Sequence, residues 1–138
     1  MRLVFIVMTT LHRALYRLTG GRVGGKVAGL PVLLLTTTGR KTGTQRTVPL
    51  GYFEDGDAYV VVGSKGGAPQ HPAWYLNLEA HPEVGVQVGS EQRRMRARRT
   101  SPEEAERLWP SILARAPGYA KYRAKTSREI PLVLLERR

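Results

Sequence analysis

The chain has 138 residues, 41% hydrophobic and 24% charged, an ordinary globular composition with enough length for one hydrophobic core. Its lack of cysteine excludes disulfide frameworks, thiolate metal sites and cysteine nucleophiles. The net charge of +11 asks for an anionic partner, whether nucleic acid, an acidic membrane surface or a polyanionic cofactor.

Read along the chain, residues 3–18 carry Val4, Val7, Met8, Leu11, Leu15 and Leu18 at helical spacing, with Arg13 and Arg17 off that stripe. Gly20, Gly21, Gly24, Gly25 and Gly29 then break regular structure. The apolar run Val32-Leu33-Leu34-Leu35 predicts a buried strand, and residues 39–43 a turn. A second strand is expected over 46–54, with Pro49 marking an edge or bulge. Asp55-Gly56 turns the chain back through 58–62. A glycine-rich loop follows, and a short helix begins near Pro72. Strands over 83–88 and 91–99 flank the tight turn at Gly89-Ser90. Ser101-Pro102-Glu103-Glu104 is a capping box with proline in the first helical position, so a helix starts there. Pro117-Gly118 interrupts it, and a last strand covers 130–135. Five or six mostly antiparallel strands with helices at ends and crossovers make an α+β domain on a small barrel.

No stretch approaches the ~20 apolar residues of a spanning helix, and no signal-peptide cleavage pattern is present, so a cytoplasmic protein is expected. His12, His71 and His81 lie far apart with no paired zinc spacing, and no metal site is expected. Asp55 and Asp57 are the only aspartates and share one hairpin turn, which leaves little for a Ser-His-Asp arrangement. Arg93, Arg94, Arg96, Arg98 and Arg99 form the densest basic run. In a strand Arg94, Arg96 and Arg98 share one face, opposite Met95 and Ala97, which reads as a solvated outer face. Neither a recognition helix nor exposed aromatics adjoin it, so nucleic acid is not the expected partner.

The other basic feature is subtler. No acid precedes Glu54, whereas Arg40, Lys41 and Arg46 cluster around the first turn. Taken alone, Gly39-Arg40-Lys41-Thr42-Gly43 is either a phosphate cradle or a solvated basic hairpin. The loop Gly63-Ser64-Lys65-Gly66-Gly67 permits close backbone approach to a ligand, but is equally an ordinary flexible loop. Trp74 and Tyr75 read first as core aromatics and second as a cofactor wall. Tyr119 and Tyr122 share a helical face, where their hydroxyls either donate a proton or merely pack.

In order and spacing these segments resemble the deazaflavin-dependent nitroreductase family, actinobacterial proteins that bind coenzyme F420. The resemblance is carried by residues 34–43, then Arg46 and Pro49-Leu50, then 63–67, then 72–78 and His81-Pro82, with Trp109-Pro110 and Ile130-Pro131 also in place. It implies a split β-barrel like that of the FMN-binding oxidoreductases, spanning residues 1–138 as one domain with 1–30 as an N-terminal helix and glycine-rich lead-in. It also implies F420 across a basic groove. Arg40, Lys41 and Thr42 would meet its phosphate and acidic tail, and Arg46, Thr47, Val48 and Pro49 would line it. Val62, Gly63, Ser64 and Lys65 would approach ring and phosphate, while Ala73, Trp74, Tyr75, Leu76 and Asn77 would close the site. Where relatives place two tyrosines, this chain has Gly51 and Ala116; Tyr119 and Tyr122 are retained.

The reading that results is an F420H2-dependent oxidoreductase passing hydride to a quinone or similar electron-poor acceptor, with Tyr119 and Tyr122 at the acceptor. A barrel that binds F420, or another anionic flavin, without turnover is the alternative. The basic N-terminal helix is a candidate for peripheral contact with the inner face of the cell membrane, where quinones reside. The oligomeric state stays open.

Overall fold

The computed structural model describes Arg13, Lys26, Val27 and residues 30–138. The helix expected over 3–18 and most of the glycine-rich lead-in lie outside the described residues. The strands are β1 (Lys26–Val27), β2 (Leu30–Thr38), β3 (Gln45–Gly51), β4 (Phe53–Asp55), β5 (Ala58–Val62), β6 (Glu83–Val88), β7 (Glu91–Arg99) and β8 (Leu132–Arg137). The helices are α1 (Ala73–Ala80), α2 (Pro102–Arg115) and α3 (Gly118–Lys125), with a 3-10 turn at Lys65–Gly67.

Every strand pairing is antiparallel, and the order from one end is β3, β2, β6, β7, β8, β5, β4, with β1 added to the start of β2. The strand expected over 46–54 is therefore two strands with different partners: β3 pairs with β2, and β4 with β5. Only Tyr52 separates them, although they end opposite edges of the sheet. One residue cannot span an open sheet, so the edges must meet and the sheet closes into a barrel. There β3 and β5 come into contact without pairing, which is the split in the wall.

Alternation along the strands fills the barrel. Leu33, Leu35, Val61, Val84, Val86, Met95, Ala97, Val133 and Leu135 point inward and form one buried cluster. Helix α1 plugs this core with Trp74, Tyr75 and Leu78. The opposite faces of β5 and β8 present Val60, Val62, Leu132 and Leu134, which α2 covers with Leu108 and Ile112. Strand β8 is apolar on both faces for this reason, and its sequence shows no alternation. Each fully buried leucine or valine contributes roughly 1.5–3 kcal/mol.

Local signals end the elements where expected. The Ser101 hydroxyl accepts from Glu104 N at 3.2 Å and the Glu104 carboxylate accepts from Ser101 N at 2.8 Å, closing the capping box of α2. Gly89, at φ +60°, makes the tight turn between β6 and β7. Pro49 sits in β3 opposite Leu34, at an end of the strand order, where its missing N–H costs no ladder bond on the far side.

Candidate functional site

The turn between β2 and β3 is closed by its own backbone, with Gly39 N donating to Thr44 O and Gly43 N to Gly39 O, both at 2.8 Å. Thr42 spends its hydroxyl inside the turn, accepting from Thr44 N at 3.2 Å. What aims the turn is Asn77, buried on α1. Its Oδ1 accepts from Arg40 N at 3.1 Å and Arg40 Nη1 at 3.2 Å, while its Nδ2 donates to Thr37 Oγ1 at 3.2 Å. Asn77 thus ties the barrel plug to the basic turn. The Lys41 and Arg46 side chains stand exposed on and beside that turn without a hydrogen bond or ion pair among the described residues.

The second element is the loop after β5. Gly63 donates to Pro131 O at 2.9 Å and lies so close that a Cβ there would come within 2.8 Å of the proline ring. Ser64 is right-handed (φ −78°, ψ −37°) and Lys65 left-handed (φ +45°). That succession turns consecutive N–H groups to one side, the concavity that holds anionic oxygens. Gly67, at φ +80°, passes beneath α3, where an added Cβ would be 3.0 Å from Tyr122 O and 3.1 Å from Lys125 Cβ. The 3-10 turn Lys65–Gly67 packs against α3, with the Tyr122 backbone next to Gly67. Lys65 is exposed and unpaired among the described residues.

Sequence reasoning missed Arg128. Its Nε donates to Ala68 O at 2.9 Å, its Nη2 to Ser64 O at 2.8 Å, and its Nη1 to Gly63 O at 3.2 Å, with His71 Nδ1 also 3.2 Å away. Its partners are main-chain atoms some sixty positions upstream, so no residue-type pattern could reveal it. His71 stacks on Tyr75 at 4.8 Å, and burial, reinforced by the Arg128 and Arg99 charges, holds its pKa below the ordinary value.

The expected site residues divide by placement. Arg40, Lys41, Thr42, Arg46, Lys65 and Ala73 are exposed. Trp74 and Tyr75 lie in the core, at 9% and 1% exposure, and the Tyr75 hydroxyl donates to Glu79 Oε2 at 3.1 Å, which favours their packing role. Val48 and Leu76 pack against the same core, whereas Val62 faces the α2 side. Thr47 and Pro49 face outward from the barrel with Thr36 and Leu34; the Thr36 and Thr47 hydroxyls are 2.7 Å apart, and Arg13 donates to Thr47 O at 2.8 Å. A cleft of about 460 Å³ on that outer face is lined by Leu34, Thr36, Gln45, Thr47, Gly85 and Gln92 among others, and Thr47 is its one member from the expected set.

Tyr119 and Tyr122 meet edge to face at 5.9 Å, and Tyr119 also packs on Phe53 at 6.4 Å. Burial raises the Tyr119 pKa, so its hydroxyl keeps its proton at neutral pH; Tyr122 is 38% exposed. Gly51 and Ala116 approach the same corner. A Cβ on Gly51 would meet Leu30, and Leu30, Ala116 and Tyr119 all pack against the cluster containing Phe53.

The donor set suits a ligand carrying phosphate and carboxylates: Lys41, Arg46 and Lys65 have no acid partner among the described residues, and the Ser64–Lys65 backbone has the right-then-left-handed succession that makes an anion-binding nest. Comparisons with known proteins agree in kind. An F420H2-dependent quinone reductase of Mycobacterium tuberculosis is 45% identical over 141 residues, covering 99% of this chain and 95% of the relative. The solved structure of an F420H2-dependent reductase, FDR-A, is 44% identical, with a TM-score of 0.70 over 77% of this chain and 94% of that one. A further solved structure, described only as a domain-swapped dimer, is 40% identical with a TM-score of 0.72, over 92% of this chain and 96% of that one. The family described as F420H2-dependent quinone reductase matches residues 8–137, and this chain belongs to it.

Proposed function

We propose that this chain reduces a quinone or similar conjugated carbonyl with F420H2, and that the two basic elements hold the cofactor's anionic end. The observation that carries this reading is the cation set at the barrel rim, which has no carboxylate partners among the described residues. Lys41, Arg46 and Arg40 take the acidic tail, and the Ser64–Lys65 concavity with the Lys65 ammonium takes the phosphate. Bound F420H2 supplies a hydride from C5 of its deazaflavin ring. The protein's part is to place that ring near the split in the wall, to exclude water and to deliver a proton. Hydride plus that proton converts the quinone to its hydroquinone. Tyr122, on the helix that packs on the cofactor loop and exposed to solvent, would donate the proton and be re-protonated from water, with Tyr119 orienting it through ring contact.

Gly51 and Ala116 bear on the acceptor. Both face the corner of Phe53 and Tyr119, and neither offers a hydroxyl to a nitro group gathering charge during hydride transfer. A flat quinone, which depends more on stacking and access, is the better substrate for such a corner. Fluorescence titration with F420 and with FMN, followed by steady-state oxidation of F420H2 by menadione, tests the whole reading. Tight F420 binding with turnover is expected; F420 binding without turnover on any quinone would establish the carrier reading instead. The membrane contact expected of the N-terminal helix concerns residues outside those described; among the described residues, no helix is long and apolar enough to cross a membrane.

A further inference from the structure

Among the described residues, Arg93, Arg96, Arg98, Arg99, Arg107 and Arg138 each form an ion pair with a carboxylate near the surface. Arg128 does the opposite. Its guanidinium is half-buried, has no acid partner, and spends its fork on three main-chain carbonyls and one ring nitrogen, all within residues 63–71. Three directions of donation from one planar group fix a backbone segment more completely than a single bond can. The segment needs such fixing, because it contains left-handed Lys65 and two glycines in a row, the least restricted backbone in the described chain.

We propose that Arg128 is the positioning residue of the cofactor loop: its guanidinium holds the Gly63, Ser64 and Ala68 carbonyls on the inner side, so that the intervening N–H groups present the anion concavity outward. The proposal rests on assigning that loop to the F420 phosphate. The charge acts as well as the shape, since a cation behind the loop adds to its positive potential without touching the ligand. His71 extends the clamp. Its Nδ1 accepts from Arg128, so the ring must be neutral there, and the groups facing it are Arg128 and Arg99, Glu79 and the Tyr75 ring.

The test compares Arg128→Lys, Arg128→Ala and Lys65→Ala with the wild type, reading F420 affinity, steady-state constants, thermal midpoint and hydrogen exchange by peptide. Lysine keeps the charge but cannot make the fork. Arg128→Lys should weaken F420 binding by on the order of tenfold, through the loss of charge-assisted contacts that order the loop. It should raise KM for F420H2 while kcat at saturation stays near wild type, and speed exchange only within residues 63–71. Free guanidinium, but not sodium at equal ionic strength, should restore part of the affinity of Arg128→Ala. A folded Arg128→Lys with wild-type affinity and a protected loop would overturn the positioning role. Unchanged affinity in both Lys65→Ala and Arg128→Lys would instead remove the loop from the F420 site, and the proposal with it.

Discussion

Two basic regions of this protein look alike in the sequence and differ completely in the fold. On β7, all the arginines of the run except Arg94 pair with acids. Arg93 pairs with Glu91, Arg96 with Glu83, and Arg99 with Glu129. Arg98 reaches both Glu104, at 2.7 Å, and Glu136, at 2.8 Å. At the barrel rim, Lys41, Arg46 and Lys65 have no ion-pair partner among the described residues. The denser run is therefore largely neutralised, and the sparser one keeps its field. Charge left over after folding is what the proposed F420 site draws on, and in the sequence it shows in the absence of acids before Glu54 more than in the density of arginine.

The strongest way to break this contrast is to remove charge from each side in turn. Lys41→Ala with Arg46→Ala should cost roughly 2–4 kcal/mol of F420 binding, as two charge-assisted contacts disappear. Arg93→Ala with Arg96→Ala should change it by less than ~0.5 kcal/mol, since those exposed pairs are spent on neighbours. Isothermal or fluorescence titration of both double variants decides the matter; equal losses would erase the distinction. The next largest effect concerns the acceptor. Tyr122→Phe should lower kcat for menadione by about tenfold, water partly replacing the donor, with F420 affinity unchanged. An unaltered rate would return Tyr122 to a packing role.

Salt sharpens the comparison further. F420 affinity should fall steadily between low and moderate ionic strength, because the rim cations are exposed and unpaired. The thermal midpoint over the same range should hardly move, because the β7 pairs each contribute little. The smallest effect is acid-induced. Hydrogen bonds from Arg98 and from Ser101 N pull the Glu104 pKa from 4.5 to about 2. Its stabilising contribution is thus whole above pH 4.5 and drains away as pH falls toward 2. Glu104→Gln should flatten that part of the stability profile, as followed by circular dichroism. Ser101→Ala, which opens the same cap, should cost about 1 kcal/mol at neutral pH.

How much of this was readable beforehand depended on where each residue's partners lie. The capping box, the Gly89 turn and the alternation of β7 involve neighbours within a few positions, and all three stand as the spacing predicts. The fate of the β7 arginines was not readable, because Arg98 finds Glu136 from 38 positions away. Arg128 was hidden for a deeper reason, since it binds backbone and backbone carries no sequence identity. The division of 46–54 into two strands was hidden too. Gly51 ends β3 just before Tyr52, but a glycine there does not say that the next strand changes partner, and only the closed sheet reveals it.

That joint at Tyr52 has a consequence for how the protein tolerates change. Leu50 and Tyr52 point into the barrel, and Phe53 belongs to the outer cluster. The odd-even order passes through the joint unbroken even as the hydrogen-bond partners are exchanged. An insertion of one residue here would invert the parity of everything downstream to the Asp55 turn, driving Phe53 into a filled lumen and exposing its pocket to water. Two inserted residues would restore parity while loosening the seam. The joint is therefore a place where length is counted in twos, and a single-codon insertion should be far more damaging than a double one.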